Sequence, residues 1–218
     1  MKKKVAINIG LLLVFLVGLA LIFNNQIKEF VVEHLEQSSL KQEIAKPKKK
    51  ASYNLENVAA LDAQTALKAA LKGVDAPIGK IAIPSVGMKL AIYEGVANIN
   101  LAHGAGTMKP NQQMGQGNYA LAGHHMANEN ILFSPLAKAK VGQIAYLTDG
   151  KKIYKYKLTK RVVVNEDQIQ WIDDVPAKKL LTLVTCSSSQ PGVKMRLIFQ
   201  GELVSAEKLT KKTSQYFV

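Results

Sequence analysis

The chain has 218 residues, 48% of them hydrophobic and 21% charged, which suits one packed domain with appendages and excludes a disordered polyelectrolyte. A net charge of +13 fits nucleic acid, anionic lipid or an anionic wall polymer, but no nucleic-acid motif, base-reading basic helix or aromatic-basic ribbon is present, so no nucleic-acid partner is expected. The single cysteine, Cys186, excludes an intramolecular disulfide and a cysteine-built metal site.

Residues 1–4 are Met-Lys-Lys-Lys, and residues 5–23 read VAINIGLLLVFLVGLALIF, apolar apart from Asn8 and two glycines. At 1.5 Å per residue this run is about 28 Å long, close to the ~30 Å hydrocarbon core. No clear small-residue cleavage site follows; Asn24-Asn25-Gln26 comes next. The run is expected to be an uncleaved transmembrane signal-anchor rather than a cleaved signal or a core helix. Three lysines precede it and Lys28 alone lies close after it, beside Glu29 and Glu33. The basic end then stays cytoplasmic and the rest of the chain is exported, in a single-pass arrangement at the cell membrane.

Residues 24–74 are expected to be stalk, linker and one helix. The stretch 26–45 reads as a polar, amphipathic, helical stalk, and KPKKK at 46–50 breaks it, either as a solvated linker or, alternatively, as a patch attracted to anionic lipid or wall polymer. LENVAALDAQTALKAALK at 55–72 predicts a helix, with Asn54 as N-cap and Gly73 as its stop. From residue 78 short strands follow: 78–84, 88–95, 117–125, 142–150, 152–164, 180–186 and 193–204. Asp149-Gly150 is a strong hairpin signal. The pattern predicts a mainly β domain, a barrel with short helices, over about 75–207 and a frayed tail over 208–218.

The strand LLTLVTC ends on Cys186 and opens into the polar loop SSSQPG. A thiolate there is within reach of a substrate, and it needs a basic or cationic neighbour. His124 lies 62 residues earlier (186 − 124) at the end of an apolar strand, and Arg196 lies ten residues later (196 − 186) on the next one. A guanidinium stays charged, so Arg196 can donate to a developing oxyanion. His125 competes with His124, and strand alternation allows only one of the two to face Cys186. His103 reads as a turn residue, His34 as solvated, and Trp171 either caps a substrate-side loop or packs on the barrel.

These residues resemble a known family. TLVTC at 182–186, AGHH at 122–125 and Arg196 followed by LIFQGEL resemble the nucleophile, histidine and arginine motifs of sortases. IGKIAIP, IYEG and GAGTM at 104–108 look like the opening of the class A, housekeeping domain. The resemblance covers roughly residues 78–204. It implies an eight-stranded sortase-type β-barrel and a cysteine transpeptidase that cleaves Leu-Pro-x-Thr-Gly-type (LPxTG) sorting signals between Thr and Gly. Cys186 would form a thioacyl intermediate, and an amine of the peptidoglycan precursor (lipid II) would receive the surface protein. His124 would act as acid and then as base, and Arg196 would support the substrate and oxyanion. Thr185 matches the motif threonine, Ala122 and Val184 match groove positions, and Ile169 and Ile172 match the loop that pockets the signal's leucine. Some relatives bind calcium through acidic residues before the histidine strand. Residues 95–128 contain no Asp or Glu, so activity is expected to need no cofactor and no calcium. The polar C-terminus favours the housekeeping class over the pilin-polymerising one. The alternative is a non-catalytic exported barrel that binds wall polymer, its cysteine buried; a papain-like wall hydrolase would have Cys before His.

Overall fold

The computed structural model describes residues 2–46 and 51–218. Most of the lysine-rich linker at 46–50 therefore lies outside the described residues. Eight strands close a barrel in the order β1-β2-β3-β4-β7-β8-β6-β5. They are β1 Gly79–Ile83, β2 Met88–Tyr93, β3 Ala105–Thr107, β4 Asn118–Ala122, β5 Ile144–Thr148, β6 Lys152–Asn165, β7 Leu180–Cys186 and β8 Met195–Lys208. Antiparallel pairing of β1 with β5 completes the closure, and β2/β3 and β4/β7 are the parallel pairs. Closure leaves no long edge strand for another chain to pair with.

Alternation sorts the strand residues into two faces. Ile81, Ile92, Leu121, Leu147, Tyr156, Leu183, Leu197 and Phe199 point inward and form the core. The expected strands are all present, with ends moved by a few residues. The short β3 falls in GAGTM, the segment that resembles one of the family's opening strands; alternation alone does not show it, because three residues of Ala, Gly and Thr carry no period.

Among the described residues there are five α-helices: α1 Lys2–Ile22, which is exposed, α2 Asn24–Leu40, α3 Ala63–Lys72, α4 Asn98–His103 and α5 Lys211–Ser214. Lys3–Ile22 has a mean hydropathy of 2.8, long and apolar enough to cross a membrane. Three expectations need correction. The stretch 26–45 is largely helical, as expected, in α2, but it is no free stalk: Val32 and Leu35 are buried in the same hydrophobic cluster as the barrel core. The helix expected over 55–72 is two elements, a 3-10 turn at Leu55–Asn57 and then α3. Asn54 caps only the turn, through Glu56 N–H, whereas Asp62 caps α3 by accepting from Thr65 N–H at 2.7 Å. Gly73 ends α3 at φ 65°, as expected. The tail is not frayed: Phe217 is buried beside Ala82 and Ile153, and Tyr216 stacks on Tyr146 with centroids 4.1 Å apart.

Candidate active site

The site follows from one ladder. β4 and β7 pair in parallel from Asn118↔Leu180 to Ala122↔Val184, every pair 62 residues apart (184 − 122). Beyond β4 the chain stays beside β7: Gly123 N–H donates to Val184 O at 3.1 Å, and Thr185 Oγ1 donates to Gly123 O at 2.8 Å. The same offset relates His124 to Cys186. In the antiparallel neighbours, Cys186 pairs with Arg196 and Val184 with Ile198, and Val164 of β6 pairs with Arg196. Period-two alternation puts these side chains on the outer face, since Leu121, Leu183, Leu197 and Phe199 take the core side. Ala122, Val184 and Ile198 form one row, and His124, Cys186, Arg196 and Val164 the next.

That face is the floor of a cleft of about 750 Å³, which Ala122, His124, Ile169, Ile172, Val184, Thr185, Cys186 and Arg196 all line. All eight residues singled out in the sequence thus meet in one place. Ile172 packs with Ala122 and Val184 against the buried Val96, Leu101, Met108 and Ala120, while Ile169 is exposed at the rim. The loop carrying both isoleucines is anchored by buried Asn118, whose Nδ2 donates to Trp171 O and Asp173 O at 2.9 and 3.0 Å. Trp171 therefore belongs to the cleft wall.

The two adjacent histidines do different things. His124 is buried, and among the described residues its Nε2 has no hydrogen-bond partner. Desolvation pushes its imidazole down to about 4, so the ring is neutral near pH 7. His125 turns away and its Nδ1–H donates to the Cys186 carbonyl at 2.8 Å. Cys186 is half-buried and its thiol is free. The Arg196 guanidinium donates to Val193 O at 2.6 Å and to Glu166 Oε2 at 2.5 Å. A neutral base, a thiol and a fixed cation along one row can form and break an acyl-thiol bond: proton acceptor, nucleophile and oxyanion donor.

Gly123 is required by a close approach. A Cβ there would lie 2.6 Å from Cγ of Phe133, so the ring packs directly on the backbone before His124. His103, expected in a turn, ends α4 and is buried against Ser39 at 3.0 Å, remote from the chemistry. His34 is exposed, as expected. Three contributors were missed in the sequence. Leu55, Val58 and Ala59 line the cleft from the N-terminal side, because the segment is a short 3-10 turn followed by irregular chain rather than one continuous α-helix. Glu166 and the backbone contact of His125 depend on loop geometry that residue spacing does not report.

The Sortase domain profile matches residues 81–204. The chain is similar to sortase A of Streptococcus agalactiae serotype III, 41% identical over 203 residues, covering 88% of this chain and 81% of that one. It is similar to sortase A of Listeria monocytogenes serovar 1/2a along its whole length, at 36% identity and covering 98% of that protein. Among solved structures, Listeria monocytogenes sortase A superposes with a TM-score of 0.63 at 42% identity, over 66% of this chain and 98% of that chain.

Proposed function

Since the chain belongs to the sortase family, and within it to the class A cysteine transpeptidases that anchor proteins to the cell wall, we propose that Cys186, His124 and Arg196 carry the reaction and that its substrate is an LPxTG-type sorting signal. The row formed by His124 just beyond β4, Cys186 at the end of β7 and Arg196 on β8 supports this most directly. As the Cys186 sulfur attacks the Thr carbonyl carbon, its proton passes to His124, which starts neutral. Arg196 donates to the oxyanion. His124 then gives the proton to the leaving Gly nitrogen, and the C–N bond breaks as the thioacyl-enzyme forms. An incoming amine of the peptidoglycan precursor loses a proton to the same imidazole as it displaces the thiol. Ala122, Val184, Ile169, Ile172 and Thr185 form the groove that receives the signal.

The apolar α1 supports a finer localisation: a single-pass anchor with the lysine-rich end cytoplasmic and the barrel exported. Calcium independence is likewise part of the proposal. Supporting it, residues 95–128 lack carboxylates, and among the described residues no group of three His, Cys, Asp or Glu is placed to hold a metal ion.

The test follows cleavage of a quenched fluorescent LPxTG peptide by the full chain in detergent, with and without an amine acceptor and EDTA. The proposal expects Cys186-dependent cleavage, amine-ligated product and no loss in EDTA. Loss in EDTA that calcium restores would remove the metal-independent part alone.

A further inference from the structure

The helix that joins the apolar span to the barrel reaches the catalytic histidine segment. α1 and α2 are nearly one helix, since Phe23 N–H donates to Leu19 O and Ile27 N–H to Phe23 O, each at 2.9 Å. Along one side of α2, Val32 and Leu35 enter the core. On that side two carboxylates meet the turn after His124, as spacings of three and four allow. Glu29 Oε1 accepts from Asn128 N–H at 2.9 Å, and Glu36 Oε2 accepts from Leu132 N–H at 2.7 Å.

The turn so held is strained and lies next to the site. Leu132 has φ 51°, a left-handed conformation that a branched L-residue adopts only when its surroundings impose it. Leu132 bridges His125, and Phe133 N–H donates to His124 O at 3.0 Å while its ring packs on Gly123. We propose that Glu36, supported by Glu29, is a positioning residue for the transpeptidase reaction: from the juxtamembrane helix it fixes the turn at Asn128–Phe133 and, through it, the imidazole of His124. Without the two carboxylates, two backbone N–H groups under the helix would have no described acceptor. Desolvation, with Glu33 adding to it, raises the Glu36 carboxyl to about 7 despite the Leu132 bond. The group is thus kept from water to make this contact. The inference rests on the role given to His124 under the proposed function. It adds that the segment next to the membrane anchor is part of the working site.

The test compares the full chain with Glu36→Ala and Glu36→Gln in detergent micelles. Turnover, melting temperature and the His124 ring resonance in ¹³C-histidine spectra are recorded for each. Glu36→Ala is expected to lower kcat about tenfold with KM little changed, the scale of loss for a displaced catalytic group, and to shift or broaden the His124 resonance while the chain stays folded. Glu36→Gln, whose Oε1 can accept from Leu132 N–H, is expected to recover most of both. Unchanged kcat and resonance in Glu36→Ala would overturn the inference. So would a Gln variant as impaired as the Ala variant, or a loss that tracks only the unfolded fraction. The resonance is read without turnover. Activity surviving in His124→Ala would therefore count against the catalytic role of His124 and leave the coupling of Glu36 to the turn separately measured.

Discussion

His124 and His125 are chemically identical and one residue apart, and burial and alternation separate them. His124 faces the cleft with an Nε2 that has no hydrogen-bond partner among the described residues, whereas His125 is committed to the Cys186 carbonyl. Replacing His124 by Ala is expected to lower kcat/KM by about 10²–10⁴-fold, the range for a general acid-base group. His125→Ala is expected to cost nearer fivefold to tenfold, as for the loss of one hydrogen bond that positions the nucleophile's backbone. Single-turnover thioacylation of a peptide checks both. The His124 imidazole titrates near 4 in the folded chain, against 6.5 when exposed. The unfolded chain therefore takes up this proton first, so stability held above pH 6.5 falls away as pH drops towards 4. Histidine NMR against pH, beside a melting series, tests this; a midpoint near 6.5 would contradict it. Much of this site was legible because TLVTC, AGHH and the Arg196 strand resemble sortase motifs; spacing alone was weak, since the β4–β7 register that explains the 62-residue offset (186 − 124) is visible only in the fold. Glu166 was not legible, because its ion pair with Arg196 joins positions 30 residues apart through a turn beyond β6.

At the scale of elements, the parallel β4–β7 pair and its extension through Gly123 make the site rigid. Gly123→Ala would drive a methyl into Phe133. The expected cost is about 1–3 kcal/mol of stability by overpacking, with a matching loss of turnover, measured by denaturant unfolding and peptide cleavage. The seven longer strands were readable from alternation and turn residues, while their ends moved by a few residues; β8 runs on to Lys208 because its ladder with β6 continues to Lys152. The segment 55–72 misled because its apolar residues serve two surfaces. Leu55 and Val58 face the cleft cluster, while Leu61, Ala66 and Ala69 face the core. Summed as one stripe they imitate an imperfect helix, and Asp62 starts the real one. Leu55→Ala is expected to raise KM for the peptide more than it lowers kcat, because this side chain touches the groove and not the reacting row.

As a whole molecule, the chain is a closed barrel braced by the helix that follows its apolar N-terminal span candidate. About ten ångströms of helix separate Ile22 from Glu29 at 1.5 Å per residue, so the His124 turn sits close to the end of the apolar span. The brace was not legible as such: α2 reads as polar and amphipathic, and only the fold shows Val32 and Leu35 meeting the core. Cutting the chain before residue 51 is expected to lower the melting temperature, because each buried aliphatic side chain contributes about 1.5–3 kcal/mol. A scan of the truncated and full chains in the same detergent checks this. The central claim is that Cys186 forms a thioacyl bond with the signal's threonine and passes it to an amine. Mass spectrometry of the full chain, mixed with an LPxTG peptide and stopped with acid, tests it most directly. The account predicts an adduct on Cys186 ending in the threonine carbonyl, absent in Cys186→Ala and discharged as ligated product when amine is added. Cleavage between Thr and Gly that persists in Cys186→Ala, or a folded chain that forms no adduct and cleaves nothing, would contradict it.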